Sequence, residues 1–235
     1  MATSLRLFVE AALTPAIEVA VTASQAHYLT RVMRRTSGDP VLVFNGHDGE
    51  WQARIAMSGR DSVTLLINAQ SRAQATEPDI WLAFALLKRD ATDLVVQKAT
   101  ELGASALLPL ITDRTITHRI NETRLRAIAV EAAEQSERLT VPIVHPPRRF
   151  ADLLGDWPPE RPLFAAVERE TLRGVQPMAG PVGLLVGPEG GFALAELDAL
   201  GRCPFVTRVS LGTRILRAET ACLAGLALLQ APRCG

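Results

Sequence analysis

Two short stretches hold the residues most able to do chemistry. Residues 184–191 read LLVGPEGG, and residues 210–221 read SLGTRILRAETA. Each is an apolar run that breaks into a glycine turn, the pattern found where a ligand meets backbone at the carboxyl end of a sheet strand. A nucleotide-phosphate loop needs GxxxxGK followed by serine or threonine, and GPEGGFAL has neither the lysine nor the hydroxyl. A dinucleotide fingerprint needs GxGxxG, and Pro188 and Glu189 break that spacing. Glu189 also places negative charge where a phosphate would lie, which turns the search toward neutral or cationic ligands. Taken singly, Gly187, Gly190 and Gly191 are also what a sharp turn without a ligand requires. Two such turns, together with the rest of the carboxyl half, point beyond a simple bend.

The chain that must hold these turns has 235 residues, 48% hydrophobic and 21% charged, enough for one large core or two smaller ones. MATSLRLFVEAAL carries Arg6 and Glu10 within its apolar stretch. IWLAFALL, residues 80–87, falls short of the roughly 20 residues that span a bilayer. Neither an export signal nor a membrane anchor is expected. Cys203, Cys222 and Cys234 are scattered, without CxxC or histidines at ligand spacing, so neither a disulfide framework nor a metal site is expected. The expected location is the cytoplasm. Lys plus Arg and Asp plus Glu are 25 each, so a nucleic-acid partner has to be held by a local patch. The bias to arginine fits an Arg-rich genome as well as it fits guanidinium contacts to RNA.

The elements that position these residues fall into two groups. Up to residue 72 the signals are β: LRLFVE, VLVFNGHDGEWQARIAM and SVTLLINAQS, with VFNGHDGEWQARI reading as a hairpin. One helix interrupts them over residues 24–35. There Ala26, Leu29, Val32 and Met33 recur at helical spacing, with His27, Arg31, Arg34 and Arg35 opposite, as a solvated polar face or a phosphate-contacting patch. SRAQATEPD, residues 71–79, suits a linker. Beyond it IWLAFALL, ATDLVVQKATELG and ALLPLI predict a βαβ unit, its helix closed by Gly103. A second helix covers 121–138 with Asn121 as N-cap and Leu125, Ile128, Ala129 and Ala132 on one face. Strands follow at VPIV, LFAAVE, VGLLVG and FVTRVSLG, with helices near 149–154, 194–200 and 217–229. Strands alternating with helices predict a mainly parallel α/β sheet, so a small β domain (1–72) precedes an α/β domain (73–235).

LLVGPEGGF and SLGTRILRAETA resemble the signature motifs of the RsmE family of 16S ribosomal RNA uridine N3-methyltransferases, which use S-adenosylmethionine. ASQAHYLTRVMRRTSGD resembles that family's N-terminal RNA-contacting segment, LLKRDATDLVVQKATELGASALLPL its first βαβ element, and EAAEQSERLTVPIV its central helix and following strand. Family members usually carry proline at the position of Thr213 and threonine at that of Ala218. The resemblance implies an N-terminal PUA-like β-barrel and a C-terminal SPOUT-type α/β domain threaded into a trefoil knot. It implies S-adenosylmethionine seated on the glycine loops at Leu185, Val186, Gly187, Gly191, Leu211, Gly212, Ile215 and Leu216. It further implies 16S ribosomal RNA, within the small ribosomal subunit, as substrate, and a homodimer whose knotted domains pair through helices.

Methylation at uridine N3 replaces a proton, and the negative charge that develops spreads over O2 and O4. Within the resemblance, Arg217 stabilises that anion or clamps a phosphate, since a guanidinium offers planar, paired donors. It can equally form an ion pair with Glu219 that caps the last helix. The base is not identified: Glu134, a candidate catalytic residue, shares a helix sector with Gln135 and Arg138, and the three could hold the uracil edge; an ordinary helix pair and proton loss to solvent are the alternatives. N3 lies on the Watson–Crick edge, so the uridine must be unpaired or flipped, and RNA grip by His27, Arg31, Arg34 and Arg35 offsets that cost. Two other readings stand beside this one: a related enzyme methylating a ribose 2′-hydroxyl, and a ribosome-binding protein without activity.

Overall fold

Alternating apolar residues fold the first part of the chain around one sheet. In the computed structural model, which describes residues 5–57, 63–168, 174–175 and 180–231, it comprises β1 (Arg6–Phe8), β2 (Glu18–Ala20), α1 (Ala23–His27), β3 (Pro40–Phe44), β4 (Glu50–Met57) and β5 (Val63–Arg72). The sheet order is β1-β3-β4-β5-β2, with β1 parallel to β3 and the other pairs antiparallel. The path is open, a half-barrel. Leu7, Val41, Val43, Ala53, Ile55, Leu65 and Ile67 line its inner face at a spacing of two. The β3–β4 turn is set by Asn45, whose Oδ1 accepts the N–H groups of His47 at 3.0 Å and Asp48 at 2.8 Å. β2 was not anticipated, because three residues carry no readable period.

The helix expected over 24–35 is shorter. α1 is capped by Thr22 and Gln25 in a reciprocal box and passes into a π-helical turn, Tyr28–Val32, closed by Met33 N–H on the Tyr28 carbonyl at 2.9 Å. The wider turn rotates the side chains that follow off the core face. Ala26 and Leu29 stay buried, whereas Val32 and Met33, expected inside, are 58% and 37% exposed.

The second part comprises β6 (Ile80–Ala85), α2 (Arg89–Glu101), β7 (Ala106–Ile111), α3 (Glu122–Gln135), β8 (Ile143–Val144), β9 (Arg148–Arg149), α4 (Phe150–Gly155), β10 (Leu163–Ala166), β11 (Val182–Val186), α5 (Leu194–Arg202), β12 (Val206–Val209) and α6 (Ala218–Gln230). Among the described residues its seven strands are all parallel, in the order β12-β10-β11-β6-β7-β8 with β9 also on β7. Both faces are apolar, as a parallel sheet requires. Leu82, Phe84, Leu107, Phe164 and Leu184 pack with residues of α2, α3 and α6, and Ala83, Leu108, Ala165 and Leu185 with residues of α4 and α5. Gly103 takes φ 79° just past α2, and Asn121 Oδ1 accepts Arg124 N–H at 3.0 Å at the start of α3, both as expected. Ala166 is in register with Val186 on one side and Val209 on the other. Both glycine turns therefore leave the same edge of the sheet.

Contacts divide the chain into Met1–Thr76 with Ala133–Thr140, and Glu77–Ala132 with Val141–Gly235. Arg6 holds 133–140 in the first unit. Its guanidinium is buried and donates to Glu50 Oε2 at 2.7 Å and to the carbonyls of Ala133, Glu134 and Arg138 at 2.9, 3.0 and 2.8 Å. Burial alone would raise the Glu50 pKa, but Arg6 and Arg72 outweigh it and hold the carboxyl below its ordinary value. Among the described residues no helix is long and apolar enough to cross a membrane.

Candidate functional site

A cavity of about 640 Å³ lies where β10, β11 and β12 end. The first glycine turn (187–191), the second (210–216), Ala166–Glu168, and Ala218 and Ala221 of α6 line it, with Arg114, Phe192 and Leu197. In the first turn Gly191 N–H closes on the Pro188 carbonyl at 2.8 Å, and Gly191 takes φ 68°. In the second, Ser210 Oγ donates to the Gly212 carbonyl at 3.0 Å and accepts its N–H at 3.3 Å, while Gly212 takes φ 132°. Both values lie in the left-handed half of the map that favours glycine. Among the described residues, the N–H groups of Thr213, Arg214, Ile215 and Leu216 find no acceptor in the chain. Backbone amides of this kind take water or a ligand. The cavity therefore offers unpaired backbone donors, apolar walls at Val186, Phe192, Leu216, Ala218 and Ala221, and carboxylates at Glu168 and Glu189.

The cavity gathers most of the residues expected to seat a cofactor: Val186, Gly187, Gly191, Leu211, Gly212, Ile215 and Leu216. Leu185 is not among them. Alternation along β11 turns its side chain into the core cluster with Leu108 and Ala165. Arg217 is the N-cap of α6; its carbonyl accepts Ala221 N–H at 2.8 Å, and its side chain is exposed beside the cavity without lining it. Among the described residues no ion pair joins it to Glu219. Glu134 Oε1 accepts the Phe8 N–H at 2.8 Å within the first unit and does not line the cavity. Arg138 is buried there, its Nη2 on Thr140 Oγ1 at 3.1 Å.

His27, Arg31 and Arg34 are exposed and Arg35 is half-buried. They do not share one helix face, because the helix stops at Val32 and Arg34 takes φ 52°. Arg35 Nε is buried without a hydrogen-bond partner. Arg114 and Glu168 also line the cavity, and no sequence motif marks either. The signal available for Arg114 was its place just past β7, at the carboxyl end of a parallel strand. Burial, then the Glu219 charge, pushes the Cys222 thiol of α6 well above its ordinary pKa, so it stays protonated and unreactive. Among the described residues no group of His, Cys, Asp and Glu can hold a metal.

Comparisons with known proteins agree along the chain. The RNA methyltransferase domain family matches residues 75–230, and the RNA methyltransferase PUA domain family matches residues 21–68. The ribosomal RNA small subunit methyltransferase E of Rickettsia conorii is 35% identical over 86% of this chain and 84% of its own length. That of Synechocystis is 34% identical over 91% of this chain and 73% of its own length. The crystal structure of the ribosomal RNA small subunit methyltransferase E from Neisseria gonorrhoeae, bound to S-adenosylmethionine, is 27% identical. It superposes with a TM-score of 0.88 over 97% of this chain and 98% of that one. The PUA-like domain is the open half-barrel, and the α/β domain is the parallel sheet that carries the cavity.

Proposed function

The chain belongs to the ribosomal RNA small subunit methyltransferase E family, and on that premise we propose that it methylates N3 of a uridine in 16S ribosomal RNA, with S-adenosylmethionine as methyl donor. The cavity carries this reading. Its volume of about 640 Å³ suits a small-molecule ligand, its lining carries both carboxylates (Glu168, Glu189) and guanidiniums (Arg114, Arg214) to meet a ligand bearing both signs of charge, and the 213–216 loop has amides to spare. S-adenosylmethionine, when bound, supplies a methyl group on a sulfonium.

The chain's own residues supply the rest. Backbone of the Gly187–Gly191 and Leu211–Leu216 turns seats the ligand. Phe192, Leu216 and Ala218 keep the walls apolar, which excludes water and strengthens every electrostatic contact inside. Arg217, exposed at the rim, clamps a phosphate of the RNA. The N3 proton passes to water at the open mouth, since Glu134 is engaged by the Phe8 amide. His27, Arg31, Arg34 and Arg35 hold phosphates on the PUA-like domain and help offset the flipping of the target base.

We also propose a homodimer in the cytoplasm, where the RNA substrate lies. Leu94 on α2 and Leu228 on α6, two helices that pack together, are 38% and 44% exposed, apolar surface that a second copy would cover. Sedimentation equilibrium showing only a 25.4 kDa species would reject it. Titration calorimetry with S-adenosylmethionine tests the site, with one binding site per chain expected. No binding would leave a ribosome-binding protein without activity.

A further inference from the structure

Among the described residues, few cationic side chains line the cavity. Arg114 and Arg214 line it; Arg217 does not. Arg214 sits in the loop whose amides lack acceptors among the described residues, whereas Arg114 rises from a turn anchored on several sides. Thr115 N–H donates to the Thr112 carbonyl at 3.1 Å, which closes a β-turn with Arg114 at its third position. Thr112 N–H donates to Thr115 Oγ1 at 3.0 Å, the two hydroxyls pair at 2.8 Å, and both threonines are buried. Asp113 N–H donates to Glu196 Oε1 at 3.0 Å, and Oε2 of that same buried carboxylate accepts Ala193 N–H at 2.8 Å. The β7 exit is thereby tied to the start of α5, the helix that follows the first glycine turn.

Arg114 itself reaches that turn. Its Nη1 donates to the Gly190 carbonyl at 2.6 Å. A guanidinium has five N–H donors in a fixed fork. Among the described residues, Nε and Nη2 of Arg114 donate to nothing. An always-charged group is thus held at the cavity by one donor, with others spare, on a backbone that cannot drift.

We propose that Arg114 is a catalytic residue: its spare donors bind a carbonyl oxygen of the target pyrimidine and stabilise the anion formed when N3 loses its proton. This rests on the uridine N3 reading above. The N3–H bond breaks, the proton goes to water, and the electron pair stays on N3, shared with O2 and O4. That pair then forms the N3–CH₃ bond as the S–CH₃ bond breaks and its electrons return to sulfur. The products are 3-methyluridine, S-adenosylhomocysteine and one proton, and Arg114 stays protonated throughout. A donor fixed before the reaction is effective because it needs no reorganisation when the charge appears.

The test uses the full chain as wild type, Arg114→Ala and Arg114→Lys, with unmodified small-subunit ribosomal RNA and saturating S-adenosylmethionine. Single-turnover methylation is followed against pH, cofactor affinity by calorimetry and product by nucleoside analysis. Arg114→Ala should keep cofactor affinity within about threefold and lower the rate at neutral pH by roughly 100- to 1000-fold. The alkaline rise of the profile, which reports N3–H ionisation in the bound complex, should move up by roughly two to three pH units. Arg114→Lys should recover part of both. An unchanged rate with weakened cofactor binding would make Arg114 a buttress of the Gly190 turn and overturn the proposal. So would a lower rate with an unmoved profile. If wild type yields a nucleoside other than 3-methyluridine, the N3 reading itself fails, and the proposal with it.

Discussion

Gly212→Ala isolates the backbone conformation of the second glycine turn. Gly212 takes φ 132°, and a Cβ built there meets no atom within 4 Å. The substitution therefore creates no clash, and its whole effect is dihedral. Holding a non-glycine residue in so sparsely populated a region costs about 1–3 kcal/mol. Where that cost is felt depends on how firmly the turn is held without ligand. Among the described residues Gly212 is tied to Ser210 Oγ, and the four N–H groups after it find no acceptor. The free loop can relax, so the strain returns only when the ligand demands the glycine conformation. Calorimetry should show S-adenosylmethionine affinity weakened by about 5- to 150-fold, the equivalent of 1–3 kcal/mol. The melting temperature without ligand should stay unchanged. A fall in melting temperature with unchanged affinity would mean that the fold fixes the turn by itself. Unchanged affinity and unchanged stability together would refute the claim that this conformation seats the cofactor.

Three further outcomes follow from the geometry. Replacing Arg31, Arg34 and Arg35 together by Gln should weaken RNA binding and flatten its salt dependence by roughly one unit of slope for each phosphate no longer neutralised, read by filter binding across salt concentrations. Arg217→Ala should raise the KM for RNA by roughly tenfold, about 1.4 kcal/mol, while kcat at saturating RNA stays within a few-fold, because its side chain lies beside the cavity without lining it; a large loss in kcat instead would put Arg217 on the reacting base. Glu50→Gln should destabilise the protein by roughly 3 kcal/mol at pH 7, because buried Arg6 loses its counter-charge. Glu50 has its folded pKa held below 4.5, so its contribution is complete above that value and fades as pH falls through the folded one. The gap in melting temperature between wild type and variant should therefore close in acid; a gap constant with pH would contradict the ion-pair account.

Local chemistry was legible wherever a residue announces its backbone. Asn121 capped α3 and Gly103 ended α2 at the expected places, because side-chain acceptors and left-handed glycines act within a few residues. The strands of the α/β domain were legible as apolar runs, and the two glycine turns proved to line one cavity. Strand order was not legible. That β11 sits between β10 and β6 is a matter of tertiary pairing, and it is this order that brings the ends of β10, β11 and β12 together. The π-helical turn at Tyr28–Val32 escaped because a helical period read across it looks continuous, although one wider turn swings Val32 and Met33 outward. The return of 133–140 to the first unit was hidden as well, since it depends on Arg6, 127 residues away from Ala133. Arg114 had no motif to mark it; its standing comes from buried Thr112, Thr115 and Glu196, whose pairing only the folded chain reveals.

The proposed activity is methylation of uridine N3 in 16S ribosomal RNA. Small-subunit ribosomal RNA that lacks the modification, incubated with the protein and S-adenosylmethionine carrying a deuterated methyl group, then digested to nucleosides and read by mass spectrometry, tests it directly. Deuterated 3-methyluridine is the expected product. Deuterium appearing in a 2′-O-methylated nucleoside, or in none, would contradict it.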